Sequence, residues 1–315
     1  MTRREQSQNP PKRRRFGVFC VCSALLAAPT AAAQPPDFDL QAHRGGRGET
    51  TESSLHAFAK ALQVGVSTLE FDIVITKDRQ PLVWHDPTIQ PDKCADTAPL
   101  FVDDPQYPYV GKRVHDLTLA QLRTLDCGLP LDDFPDAEPV PGNTLATLPE
   151  VFALSDSRDA QFRYNIETKL DAAHPDESAP PEEFVEVILA AVRAAGKVDR
   201  VDIESFDWRT LPMVRNTEPS IPLVALWDDT TAAGDPVLAA LAAGADVVSP
   251  EYRIVDAEFT NRAHALGLKV IPWTVNDTDT MRAQIAAGVD GLITDYPARL
   301  RSVLAELGMP LPPSY

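Results

Sequence analysis

Positive charge is in short supply in this chain. Of 315 residues only 29 are Lys or Arg, against 46 Asp or Glu, for a formal net charge of −17. Six of the basic residues (Arg3, Arg4, Lys12, Arg13, Arg14 and Arg15) fall within residues 1–33, where Glu5 is the one acid. The remaining chain holds 23 basic against 45 acidic residues, a net −22. Such a surface repels polyanions, which argues against nucleic acid as a partner. Phosphate chemistry here would need a local positive centre, for which a metal ion is the obvious supplier. Glycine is scarce as well, at 15 residues, and no G-x-G-x-x-G turn follows a candidate strand. An open dinucleotide-binding sheet is therefore disfavoured. Beyond residue 33 no run is long and apolar enough to cross a bilayer as a helix.

The first 33 residues read as an export signal. A basic start precedes the uncharged stretch 16–33, whose apolar centre at 18–28 is too short to span. Pro29 ends that centre, and Ala31-Ala32-Ala33 offers a small-residue cleavage site. An uncleaved anchor is the rival reading. The mature chain, 34–315, is thus expected to be periplasmic or secreted, without stable membrane insertion. Cys20 and Cys22 lie in the signal, leaving Cys94 and Cys127, which an oxidising compartment would join.

Short β-branched runs then alternate with Ala- and Leu-rich helical patterns, the signature of a parallel α/β sheet. Strands are expected at 38–42, 68–75, 162–167, 201–205, 223–227, 246–249, 269–274 and 291–294. Helices are expected at 53–63, 182–195, 236–243, 257–266 and 278–287, among others. Eight strands with crossovers fit one (β/α)8 TIM barrel. Residues 82–85 read as a hairpin return after the turn at 77–80. The Pro- and Asp-rich stretch 88–147, with one helix at 119–125 and both mature cysteines, reads as a disulfide-tied insertion near the catalytic face.

In such a barrel, chemistry collects where strands end. The first strand runs into His43-Arg44-Gly45-Gly46. The second carries Glu70 and Asp72, whose i, i+2 spacing puts both carboxylates on one side. The return ends at His85-Asp86, and the next barrel strand at Glu167-Thr168-Lys169. Three carboxylates converging inside a barrel need a cation, since repulsion and desolvation would otherwise protonate one of them. An all-oxygen site suits Ca2+ or Mg2+. Two histidines beside it can accept and donate protons near neutral pH, while Arg44 and Lys169 add positive charge for an oxyanion.

The pattern H-R-G-G from His43, Glu52 nine residues on, then E-F-D, T-K-D, W-H-D and I-E-T-K resembles the glycerophosphodiester phosphodiesterases. The likeness continues through Ser205-Phe206-Asp207-Trp208-Arg209, Trp273-Thr274-Val275-Asn276 and Gly291-Leu292-Ile293-Thr294-Asp295. The resemblance implies metal-dependent hydrolysis of glycerophosphodiesters to an alcohol and sn-glycerol 3-phosphate. By the same likeness His43 and His85 are the acid/base pair, and Glu70, Asp72 and Glu167 hold one divalent cation. Arg44 and Lys169 would bind phosphate, Phe206 and Trp273 would wall the glycerol carbons, and Glu52 would support the site. A lysophospholipase D or sphingomyelinase D-like activity on the same barrel, or a non-catalytic surface binder, are the alternatives. One departure stands out: where the family usually has Pro-Glu-Asn-Thr, this chain has Thr51-Glu52-Ser53-Ser54. Ser53 keeps the ability to cap the following helix.

Overall fold

The β-branched runs form the strands, and the alanine- and leucine-rich stretches between them form the helices. The computed structural model describes residues 1–2, 38–158, 160–231 and 234–315. Except for residues 1–2, the expected signal at 1–33 lies outside them. The strands are β1 (Asp39–Ala42), β2 (Thr68–Ile75), β3 (Pro81–Val83), β4 (Ala95–Asp96), β5 (Leu125–Asp126), β6 (Arg163–Thr168), β7 (Val201–Ser205), β8 (Leu223–Trp227), β9 (Val247–Pro250), β10 (Lys269–Val270) and β11 (Gly291–Thr294). The helices are α1 (Leu55–Val64), α2 (Leu119–Leu122), α3 (Leu148–Asp156), α4 (Pro181–Ala194), α5 (Thr210–Thr217), α6 (Pro236–Ala242), α7 (Ala257–Ala265), α8 (Thr278–Ala286) and α9 (Pro297–Glu306).

Eight strands pair in parallel in the order β10-β9-β8-β7-β6-β2-β1-β11, with β3 antiparallel against β2 as the expected hairpin return. Three backbone bonds complete the circle between β11 and the stretch at β10. They run from Asp290 N–H to the Val270 carbonyl, from Ile293 N–H to Pro272, and from Val275 N–H to Ile293, at 2.9, 3.1 and 3.0 Å. The result is a parallel eight-stranded (β/α)8 TIM barrel. β10 is shorter than the sequence suggests because Pro272 has no N–H to give to a ladder. Pairing resumes beyond it, where Trp273 N–H donates to the Pro250 carbonyl at 3.1 Å.

The main core lies between strands and helices, with Phe58, Phe71, Phe152, Tyr164 and Phe184 among its fully buried residues. A smaller apolar cluster, Val224, Val247, Ile271 and Ile293, joins β8, β9 and β11 to the stretch after β10. The strands of the other half, β1, β2, β6 and β7, bury Gln41, Glu70, Asp72, Asn165, Glu167 and Glu204 instead. The insertion between β3 and α3 has a core of its own, in which Tyr109, Val114, Leu117 and Leu122 pack with Trp84 and the Cys94–Cys127 disulfide. Its β4–β5 ladder occupies Leu125 and Asp126, so α2 stops at Leu122 rather than running on to 125.

Candidate active site

Where β1 ends, Arg44, Gly45 and Gly46 all take positive φ, at 50°, 81° and 95°. A Cβ on Gly45 would sit 2.8 Å from that of Ala57, and one on Gly46 would sit 2.9 Å from Pro297 Cγ. Only glycine lets the turn press so closely onto α1 and α9. Arg44 is thereby pulled inward. Its backbone N–H donates to Glu70 Oε2 at 2.9 Å, and its carbonyl accepts from Ser53 N–H at 2.9 Å. Its guanidinium lies 3.2 Å from Asp72 Oδ2 and 3.4 Å from both Glu52 oxygens. Burial opposes that charge, but Asp72, Glu52 and Glu70 more than offset it and hold the guanidinium above its usual value. Ser53 itself has φ 54° and does not cap α1. Ser54 does so, accepting from Ala57 N–H at 3.0 Å, and leaves the buried Ser53 hydroxyl without a hydrogen bond.

Strand register aligns the acids. Asp72 on β2 faces Glu167 on β6, which in turn faces Glu204 on β7. One oxygen from each of Glu70, Glu167 and Glu204 lies within 4.8 Å of the other two. Burial and mutual repulsion push Glu70 and Glu204 well up, and burial raises Glu167 to about 7 despite Lys169 Nζ at 2.8 Å. Asp72 goes the other way: burial is outweighed by Arg44, His85 and Lys169, which hold it far below the carboxylate range. Neither Asp72 oxygen accepts a hydrogen bond, although the residue is 1% exposed. Such orphaned oxygens beside three crowded carboxyls suit a hard cation with all-oxygen ligands.

Of the three acids named from the sequence, Glu70 and Glu167 join Glu204 in this trio, while Asp72 lies outside it, opposite Glu167 in the strand register. Glu204 was missed, and Asp72 sits nearer to Arg44 and Lys169 than in the tight trio. The overlooked signal was an acid near the end of β7, one strand over from Glu167. Asn165 backs it, donating at 2.6 Å to Glu204 Oε2 and at 2.9 Å to Gln41 Oε1.

Each histidine has its own aspartate. His43 Nδ1 lies 2.5 Å from Asp295 Oδ1, and Asn276 Nδ2 donates to Asp295 Oδ2 at 2.7 Å. Asn276 Oδ1, on the same side-chain amide, also accepts from Asp295 N–H at 3.0 Å. His85 Nδ1 lies 2.9 Å from Asp86 Oδ1. Lys93 spans from Asp86 Oδ2, at 2.7 Å, to Glu52 Oε1, at 2.9 Å. Among the described residues neither histidine's Nε2 makes a hydrogen bond, and His43 Nε2 is 4.0 Å from Glu70. Burial, with Lys169 and Arg44 nearby, brings His85 down to about 4. Glu52 resists burial through Arg44, Arg47 and Lys93 and falls to about 2. Asp295 closes a motif noted in the sequence but was given no role there, and Lys93 was not noted, because their partners lie 252 and 41 residues away.

A cleft of about 650 Å3 is lined by His85, Glu167, Lys169, Phe206, Trp208 and Arg209, among others, whereas His43, Arg44, Glu70, Asp72 and Trp273 do not line it. Phe206 meets Trp273 edge to face, with ring centroids 5.3 Å apart. A larger cleft, about 850 Å3, lies at the opposite strand ends around Asp39, Arg163, Asp202 and Lys269. No histidine lines it, whereas His85 lines the smaller one.

The family model described as the glycerophosphoryl diester phosphodiesterase family matches residues 43–299. A glycerophosphodiester phosphodiesterase from Caldanaerobacter subterraneus subsp. tengcongensis is 29% identical over 268 residues, covering 85% of this chain and 98% of its own. A crystal structure of a candidate glycerophosphoryl diester phosphodiesterase from Silicibacter pomeroyi superposes with a TM-score of 0.78 at 31% identity, covering 88% of this chain and 96% of that one. An Oleispira antarctica phosphodiesterase solved with its product sn-glycerol-3-phosphate has a TM-score of 0.67 at 18% identity, covering 85% and 96%.

Proposed function

The chain belongs to the glycerophosphoryl diester phosphodiesterase family and is a phosphoric diester hydrolase, and from that premise we propose that it releases sn-glycerol 3-phosphate from glycerophosphodiesters by paired histidine catalysis at a divalent-cation site. One observation carries the reading. Two imidazoles, each tied at Nδ1 to its own aspartate, flank a buried carboxylate cluster with Nε2 left for the reaction. The product bound in the Oleispira relative is the one this reaction would leave.

Glu70, Asp72, Glu167 and Glu204 would hold the ion, Ca2+ or Mg2+, which when bound supplies Lewis-acid stabilisation of phosphoryl charge. His85, kept neutral by burial, takes the proton from the nucleophile, either water or the neighbouring glycerol hydroxyl; in the second case water then opens the cyclic phosphate to sn-glycerol 3-phosphate. His43, held at Nδ1 by Asp295, gives a proton from Nε2 to the departing alkoxide. Arg44 and Lys169 orient and neutralise the phosphate oxygens. Phe206 and Trp273 exclude water around the glycerol carbons. Glu52 braces Arg44 and Arg47 from behind.

Glycerol 3-phosphate release from choline, ethanolamine and inositol glycerophosphodiesters, with and without Ca2+ or Mg2+, tests this directly. His43→Ala and His85→Ala should each lower kcat by about 10²–10⁴-fold with the circular dichroism spectrum unchanged. A variant that keeps most of its activity removes that histidine from the scheme. Export is part of the same proposal: it is supported by the 1–33 pattern and by a disulfide suited to an oxidising compartment. The mass of the protein recovered outside the cytoplasm should correspond to a chain beginning near residue 34.

A further inference from the structure

Lys93 comes from the insertion, not from the barrel, yet its side chain is only 11% exposed. An ammonium taken out of water must find charged partners. Both of its carboxylate partners are site residues, Glu52 on one side and Asp86 on the other, and the Trp84 ring lies 5.4 Å away. The backbone around it is fixed from three directions. Lys93 and Cys94 N–H both donate to the Gln90 carbonyl, at 3.2 and 2.9 Å, and the Lys93 carbonyl accepts from Leu129 N–H at 3.3 Å. The next residue, Cys94, is bonded to Cys127.

The Asp86 carboxylate is thus shared, with Oδ1 towards His85 and Oδ2 towards Lys93. An imidazole keeps one tautomer only while the acceptor at its other nitrogen stays in place. Without Lys93, the second Asp86 oxygen loses the cation that fixes it, and the carboxylate becomes free to rotate away from the ring.

We propose that Lys93 is a positioning residue, acting through Asp86 to hold the proton of neutral His85 on Nδ1 and to present Nε2 to the cleft. This rests on His85 being one of the two proton-transferring groups.

The test compares Lys93→Met, Lys93→Arg, Asp86→Asn, the Asp86→Asn/Lys93→Met double variant and His85→Ala, all in the intact mature chain. Release of glycerol 3-phosphate from glycerophosphocholine gives kcat, and side-chain 15N NMR reports the His85 tautomer. Misplacing a reacting group can cost up to about 100-fold, so Lys93→Met should lower kcat roughly 10- to 100-fold, and Lys93→Arg should recover most of it. The double variant should be no slower than Asp86→Asn alone, and the NMR of Lys93→Met should show mixed tautomers. If Lys93→Met is misfolded by circular dichroism, Lys93→Gln, which keeps the stem and a donor, carries the same comparison. A Lys93 variant within twofold of wild type, or penalties that multiply in the double variant, overturns the proposal. If His85→Ala retains activity, the proton-transfer reading falls with it. If His85→Ala is inactive while the Lys93 variant is unaffected, the role of Lys93 alone falls.

Discussion

Two neighbouring residues hold unusual backbone for the sake of one side chain. Arg44 and Ser53 both sit at positive φ, and the Ser53 N–H donates to the Arg44 carbonyl. Non-glycine residues pay of order 1–3 kcal/mol for such conformations, and asparagine tolerates them best. The positive φ at this position suits asparagine better than serine, while the capping role expected of Ser53 is performed by Ser54. Ser53→Asn should raise stability by about 1 kcal/mol, seen as a higher Tm, while a lower Tm would mean that the pocket around Ser53 has no room for an amide. His43, His85, Glu70, Asp72 and Glu167 stand out in the sequence as candidates because each follows, ends or lies within a candidate strand. Glu204 carried the same signal and was passed over. Lys93 could not be read in this way, since a lysine in a Pro- and Asp-rich loop looks solvated until folding brings Glu52 and Asp86 to it.

Among the elements, β2, β7, β8 and β11 fall where hydrophobic runs bounded by turn residues place them. Differences arise where long-range pairing overrides local pattern, as at Pro272 in β10 and at Leu125 in β5. The insertion is an element in its own right, with a separate core and a disulfide spanning 33 residues of sequence. Chain-entropy reasoning gives a loop of that size roughly 3–4 kcal/mol. Replacing both Cys94 and Cys127 by Ser should lower the unfolding free energy by about that much in denaturant titration. A change below about 1 kcal/mol would show that the insertion's packing suffices without the bond.

At the level of the whole molecule, the acids buried in one half of the barrel make stability depend on pH. Glu167, raised from 4.5 to about 7, keeps its proton in the folded protein while the unfolded chain has lost it. The ion-free fold therefore loses stability from this group as pH rises through that window. His85, lowered from 6.5 to about 4, contributes the opposite slope between those values. The difference between ion-loaded and ion-free protein isolates the carboxylates, because a bound cation requires them deprotonated. The Tm increase on adding Ca2+ or Mg2+ should be small at pH 5 and several degrees larger at pH 8. An increase that is equal at both pH values would count against the carboxylate cluster as the binding site.

The barrel closes least securely between β10 and β11, where proline interrupts the ladder and an Asn276 side chain takes over part of the stitching. That same amide steadies Asp295, and through it His43. Loosening of this seam would therefore reach the His43 imidazole through Asp295, so closure of the cylinder and placement of that ring share a single fastener. Asn276→Ala should quicken amide hydrogen exchange along β11 and slow catalysis together, whereas a variant that did one without the other would show the two to be separable.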